Sequence, residues 1–305
     1  MRAGWLVVVV LASVAPARAD EADSVSLADA RTLLARGRSS TCTDVPCLIR
    51  EAYAKDADAR QLAQDLYAST GDVAGTGPDE VMDGGYRGKI KLVPQLPTGA
   101  KRKHLQWTVA AMQRIDDFFT ALYPPAYTVK HGAPGYRWRA LQFRFVASPG
   151  KRTPSAYAFG WSIEYNVNGS LLTSGPGVLE TLWHELFHTN DFAHDAWSEA
   201  ALQRDYDAIV RRCGARATCF AAYAPNTTKV RATGMYYAFQ RNNGNGVHEY
   251  AAELAVRYYR EQSQMLAHGQ LAGRAFKCGP AENARSWTAL VDEFFAGRDL
   301  VPPCV

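Results

Sequence analysis

The sequence predicts an α+β fold, a small mixed sheet packed on a histidine-bearing helix with a helical lobe in front. Three observations carry that expectation. First, apolar residues recur at helical spacing over Leu105, Val109, Met112, Ile115, Phe119 and Leu122. Second, β-like segments flank this run, a short one from Lys89 and two more around 141–147 and 157–167. Third, the order strand, helix, strands and then further helices is that of a sheet with helices segregated to one face.

The chain has 305 residues and six cysteines, with a formal net charge of +4. It opens with Arg2, an apolar run from Trp5 through Ala15, and Ala17-Arg18-Ala19 ahead of Asp20, the pattern of a cleavable export signal over residues 1–19. Without Arg2 and Arg18 the charge falls from +4 to +2. A balance so near neutral gives no electrostatic case for nucleic acid or an anionic membrane surface. The apolar run is too short to span a bilayer, and no later stretch reaches membrane length. The expected location is therefore secreted or periplasmic, where thiols pair and stay paired. Spacing favours three local disulfides, Cys42 with Cys47, Cys213 with Cys219, and Cys278 with Cys304.

Residues 20–88 read as the N-terminal helical lobe and its connection. The buried stripe is expected at Leu33, Leu34, Leu48, Ile49, Leu62 and Leu66, and the Gly- and Asp-rich stretch 72–88 is the connection to a main domain over 89–305. In that domain Ile90, Leu92 and Val93 form a strand closed by Pro94 and Pro97, and Pro124 and Pro125 stop the following helix. Asn168-Gly169 makes a turn, and Ser174-Gly175-Pro176 opens the next helix.

That helix carries His184-Glu185-Leu186-Phe187-His188. Two imidazoles four residues apart share a helical face one turn from each other, so both reach one zinc ion. Glu185 projects to the side, placed to act as a base rather than a ligand. This composition yields the pattern by chance about 0.006 times. The competing interpretation is a buried amphipathic helix with Trp183, Leu186 and Phe187 as its core face and two hydrogen-bonded histidines.

A hydrolytic zinc site takes a third protein ligand, and the sequence offers two. His194, six residues after His188, gives a spacing that resembles the metzincins, with Asp191 where their turn has Gly, and Thr233-Gly234-Met235-Tyr236-Tyr237 is similar to their Met-turn. Glu249 lies in His248-Glu249-Tyr250-Ala251-Ala252-Glu253, a second helix on which Glu249 and Glu253 share a face. His184 through Asp191 followed by Glu249-x-x-Ala252-Glu253 resembles the gluzincin peptidases of the anthrax lethal factor and Pro-Pro endopeptidase type, over roughly residues 89–262. That resemblance implies a zincin-like domain with His184, His188 and Glu249 as zinc ligands, Glu185 as base, and Asp191 and Glu253 as supports. It also implies a tyrosine donating to the oxyanion. Tyr236 and Tyr237 lie 13 and 12 residues before Glu249, farther than the family spacing, and Tyr237 is taken for the role. Asp191 fits this pattern directly and strains the metzincin one, which favours Glu249. His248 is expected as a neighbour.

The expected function is zinc-dependent hydrolysis of a peptide or protein substrate, with Ala156 through Ile163 either a sheet edge that pairs with that substrate or an ordinary core strand. Two rivals share the residues. One is a non-catalytic protein using zinc as structure, which would have no need of Glu185; the other is a zinc amide hydrolase acting on small molecules or cell-wall peptides.

Overall fold

The computed structural model describes residues 24–304, apart from 38, 85–87, 132–133, 137–139, 231–232 and 241–243. The proposed export signal lies outside the described residues.

Three short helices come first: α1 (Leu27–Leu34), α2 (Val45–Ala52) and α3 (Ala57–Thr70). Each starts where the side chain of Ser26, Asp44 or Asp56 accepts a backbone N–H left unpaired by the first turn. Gly71 ends α3 in the left-handed region at φ 74°, a conformation that costs glycine little. The expected stripe is buried at Leu33, Leu34, Leu48, Ile49 and Leu66, and Leu62 is partly buried.

The stretch 72–88, expected as a plain connection, contains two strands, β1 (Val73–Thr76) and β2 (Glu80–Asp83). Each is four residues long, too short for an alternating pattern to stand out among glycines and acids. β3 (Lys89–Pro94) pairs antiparallel with β2 and then runs into α4 (Arg102–Leu122). A short α5 (Pro125–His131) follows, its first residue a proline whose missing N–H costs nothing there. β4 (Gln142–Ala147) matches expectation, but the segment 157–167 is a hairpin of β5 (Ala156–Phe159) and β6 (Ser162–Asn166). Gly160, at φ 55°, reverses the chain between them.

The six strands form one curled mixed sheet ordered β2-β3-β4-β6-β5, with β1 parallel to β4, so β5 lies at an edge. α6 (Gly175–Ala193) packs on α4, on β5 and on the later helix α9 (Gly246–His268); α7 (Trp197–Cys213), α8 (Ala217–Phe220) and α10 (Ala281–Phe294) complete the helical side. The structure is thus α+β. One cluster of buried side chains runs from Val25 to Val301, taking in α1 to α3 as well as α6 and α9.

α6 sits deep in this core. Trp183 is fully buried, stacks on Phe119 at 5.7 Å and on Tyr136 at 5.6 Å, and donates its indole N–H to the Ala255 carbonyl at 2.9 Å. That bond fixes α9 against α6, and burial of one such ring stabilises the pair by about 2–3 kcal/mol. Ser174 caps α6 by accepting from the Gly177 N–H. A side chain at Gly177 would collide with the Leu171 carbonyl, so glycine permits the close approach of the 169–173 loop. All three expected disulfides are formed, Cys42–Cys47, Cys213–Cys219 and Cys278–Cys304. Among the described residues no helix is long and apolar enough to cross a membrane.

Candidate metal centre

α6 presents His184 and His188 on one face, and α9, held alongside by Trp183, presents Glu249 from its first turn. His184 Nε2 and His188 Nε2 lie 3.1 Å apart, and Glu249 Oε2 is 3.2 Å from the first and 3.9 Å from the second. A tetrahedral zinc ion bonded at about 2.0–2.2 Å holds neighbouring ligand atoms about 3.4 Å apart, and the three separations bracket that value. His184, His188 and Glu249 therefore fit a metal ion as a set of three ligands.

The electrostatics point the same way. Glu253, one helical turn beyond Glu249, places Oε1 3.3 Å from His184 Nδ1. A carboxylate at Nδ1 keeps a ring proton there, so release of the proton on Nε2 would leave that nitrogen's lone pair toward the centre of the trio. Two imidazole nitrogens and a carboxylate oxygen thus converge in a buried space that calls for a cation. Burial disfavours charge on His184, yet Glu249 and Glu253 push its pKa well above the ordinary value. Burial and the neighbouring His184 lower His188 to about 4. Burial alone would raise Glu249, but the His184 contact holds its pKa below the usual carboxylate value.

Glu185 points away from the trio toward the sheet. Its carboxylate accepts the backbone N–H of Ala158 on β5, and burial raises its pKa to about 7. Tyr237 opens a single 3-10 turn (Tyr237–Phe239); its ring sits edge-on to His184 at 5.8 Å, and its hydroxyl donates to Glu249. Tyr236 instead packs under the Lys229 ammonium at 4.8 Å. Of the two candidate tyrosines only Tyr237 reaches the trio. The longer spacing from Tyr237 to Glu249 is taken up by the stretch 242–246 that the sequence offers as an Asn- and Gly-rich loop, of which 242 and 243 lie outside the described residues.

The other expected residues fall elsewhere. His194 caps the end of α6 with Nδ1 2.6 Å from Glu293 Oε1 and Nε2 3.0 Å from the Gly135 carbonyl, so both nitrogens are engaged away from the trio. Asp191, expected to support the metal site, accepts from the Ser198 N–H and hydroxyl and sits 2.6 Å from His248 Nδ1. It joins α6 to the starts of α7 and α9 and hydrogen-bonds to neither His184 nor His188. His248 turns its other nitrogen to Glu199 at 3.2 Å and is a neighbour of the trio, not a member.

A cleft of about 750 Å³ opens onto His184, Glu185 and Glu253. The lining includes the 152–156 stretch leading into β5, with Leu171 hydrogen-bonded beside it, and residues of the 226–230 loop with Tyr237. The Ser155 carbonyl accepts from Asn166 on β6, so by strand alternation the backbone groups of Ala156 and Ala158 face away from the sheet. Sequence reasoning missed these walls, because loop residues carry no periodicity, and missed the Ala158 and Ser198 contacts, because they depend on how separate elements pack. Comparison with protein-family models, with curated proteins and with solved structures finds no match for this chain, so the reading of the site rests on its own geometry.

Proposed function

We propose that this chain is an exported zinc-dependent endopeptidase of gluzincin type, with a zincin-like arrangement of edge strand, motif helix and glutamate helix. The observation that carries the reading is a three-ligand set, His184, His188 and Glu249, with a further carboxylate, Glu185, beside it, at a cleft that His184, Glu185 and Glu253 line. A purely structural ion would have no use for that arrangement. Export is supported by the leader pattern and by the three disulfides.

Held by His184, His188 and Glu249, zinc would polarise a carbonyl and acidify a water molecule. Glu185 takes the proton from the attacking water and returns it to the leaving amine. Its tie to Ala158 keeps the carboxylate aimed across the cleft, and burial suits it to exchange protons near neutrality. The Tyr237 hydroxyl, which donates to Glu249, would turn that proton to the oxyanion as the carbonyl carbon becomes tetrahedral. An extended substrate adds to the open edge of β5 through the Ala156 backbone and the Ala158 carbonyl.

The test is cleavage of a peptide library by wild type and Glu185→Gln. The reading expects wild-type cleavage and a fall in kcat/KM of about 10²–10⁴ in the variant at unchanged metal content. Equal rates would remove Glu185 as the base.

A further inference from the structure

A second cavity, of about 410 Å³, adjoins the cleft, and Arg152 lines both. It lies where the start of α4, the 148–152 turn and the 167–173 loop meet, and its lining brings Lys101, Lys103, Lys151 and Arg152 together with no aspartate or glutamate. The pieces are tied in place. Lys101 Nζ donates to Asn168 Oδ1 at 3.2 Å, the Ser170 N–H donates to the Arg152 carbonyl at 3.0 Å, and the Leu171 N–H donates to Ser155 Oγ at 3.1 Å. No ion pair among the described residues engages Lys101, Lys103 or Arg152. The local potential is felt by buried His104 beside them, which burial first, and Lys103 and Lys101 next, lower to about 4. In a chain whose net charge is only +4, four cations around one cavity that continues the cleft form a local excess that attracts anions.

An extended chain pairing with β5 sets the direction. Antiparallel pairing is the more stable mode, and it carries the C-terminal side of a substrate back along β5 toward Ser155 and Arg152. At about 3.4 Å per residue, the six positions from Ala158 to Arg152 span at most about 20 Å, or roughly three to six substrate residues. Resting on the peptidase reading above, we propose that this basic cavity is a substrate subsite that selects peptides carrying acidic residues three to six positions to the C-terminal side of the scissile bond.

The test uses quenched fluorescent peptides of one sequence with three Glu, three Gln or three Lys at those positions, and a fourth with the Glu residues moved to the N-terminal side. Wild type is expected to cleave the first peptide at least 10-fold better than the Gln and N-terminal versions, through KM, with the advantage shrinking in 0.5 M NaCl as screening shortens to about 4 Å. In Lys103→Glu/Lys151→Glu, both exposed positions, the Glu-to-Gln ratio should fall toward 1. Anisotropy of the labelled peptides with metal chelated reads the subsite without chemistry. Equal cleavage and equal binding of Glu and Gln peptides would overturn the subsite while leaving the peptidase intact. No cleavage of any peptide, with tenfold tighter binding of the Glu peptide that the double variant loses, would sink the peptidase reading and leave the cavity a site for acidic chains. A single-stranded oligonucleotide displacing the Glu peptide at lower concentration than the peptide itself would overturn the peptide as its ligand.

Discussion

Replacing Glu253 with Gln should weaken zinc binding without dismantling the fold. Glu253 Oε1 stands 3.3 Å from His184 Nδ1, and the two side chains are only 9% and 10% exposed. The charge that holds the ring proton is therefore shielded little by solvent. Gln keeps an oxygen for that contact but loses the charge, and its amide enters a place where the second carboxylate oxygen of Glu253 is buried without a hydrogen-bond partner. Outer partners of ligand histidines are worth about 10- to 100-fold in metal affinity, or about 1.4–2.7 kcal/mol. A competition titration against a chromophoric chelator at pH 7.5 reads the change, with circular dichroism of the metal-free protein as the control for folding. A zinc Kd within threefold of wild type, in a folded variant, would refute the idea that Glu253 sets the orientation of His184.

Two further predictions concern the frame. Asp72 is fully buried, accepts the Leu141 N–H at 2.7 Å at the start of β4, and burial raises its pKa from 3.8 to about 7. Because the folded state holds this proton more tightly, its contribution to stability is complete below pH 3.8 and is lost as pH rises toward 7. Asp72→Asn should flatten that slope and raise stability at pH 7 by a few kcal/mol at most, checked by urea titrations at pH 4, 5.5 and 7; an unchanged slope counts against it. Cys278–Cys304 closes 26 residues of chain, so Cys278→Ser/Cys304→Ser should lose about 3.5 kcal/mol of unfolding free energy, and a loss below 1 kcal/mol in the same titrations would contradict the loop-entropy account.

Much of the site was legible because helices write their geometry into spacing. His184 and His188 had to share a face once Ser174 and Pro176 opened a helix, and Glu249 and Glu253 had to share one on α9. Choosing between Glu249 and His194 needed packing, since contacts such as Trp183–Ala255 lay α9 along α6 while His194 turns to Glu293. The partner of Asp191 was illegible for the same reason: Ser198 and His248 reach it from two different helices. In the sheet, β4 was readable from Phe143, Phe145 and their neighbours. The β5–β6 hairpin read as one strand because a lone Gly160 fits a strand interior or a turn equally well. The cleft walls depend on where loops meet, which no local pattern encodes.

Metal content measured in purified, disulfide-intact protein after equilibrium with zinc bears most directly on the central claim. With His184, His188 and Glu249 as the ligand set, wild type and His194→Ala should each retain one zinc per chain, and Glu249→Ala should lose it under the same dialysis. A wild type that holds no zinc, or a His194→Ala protein that loses it while Glu249→Ala keeps it, would contradict the account.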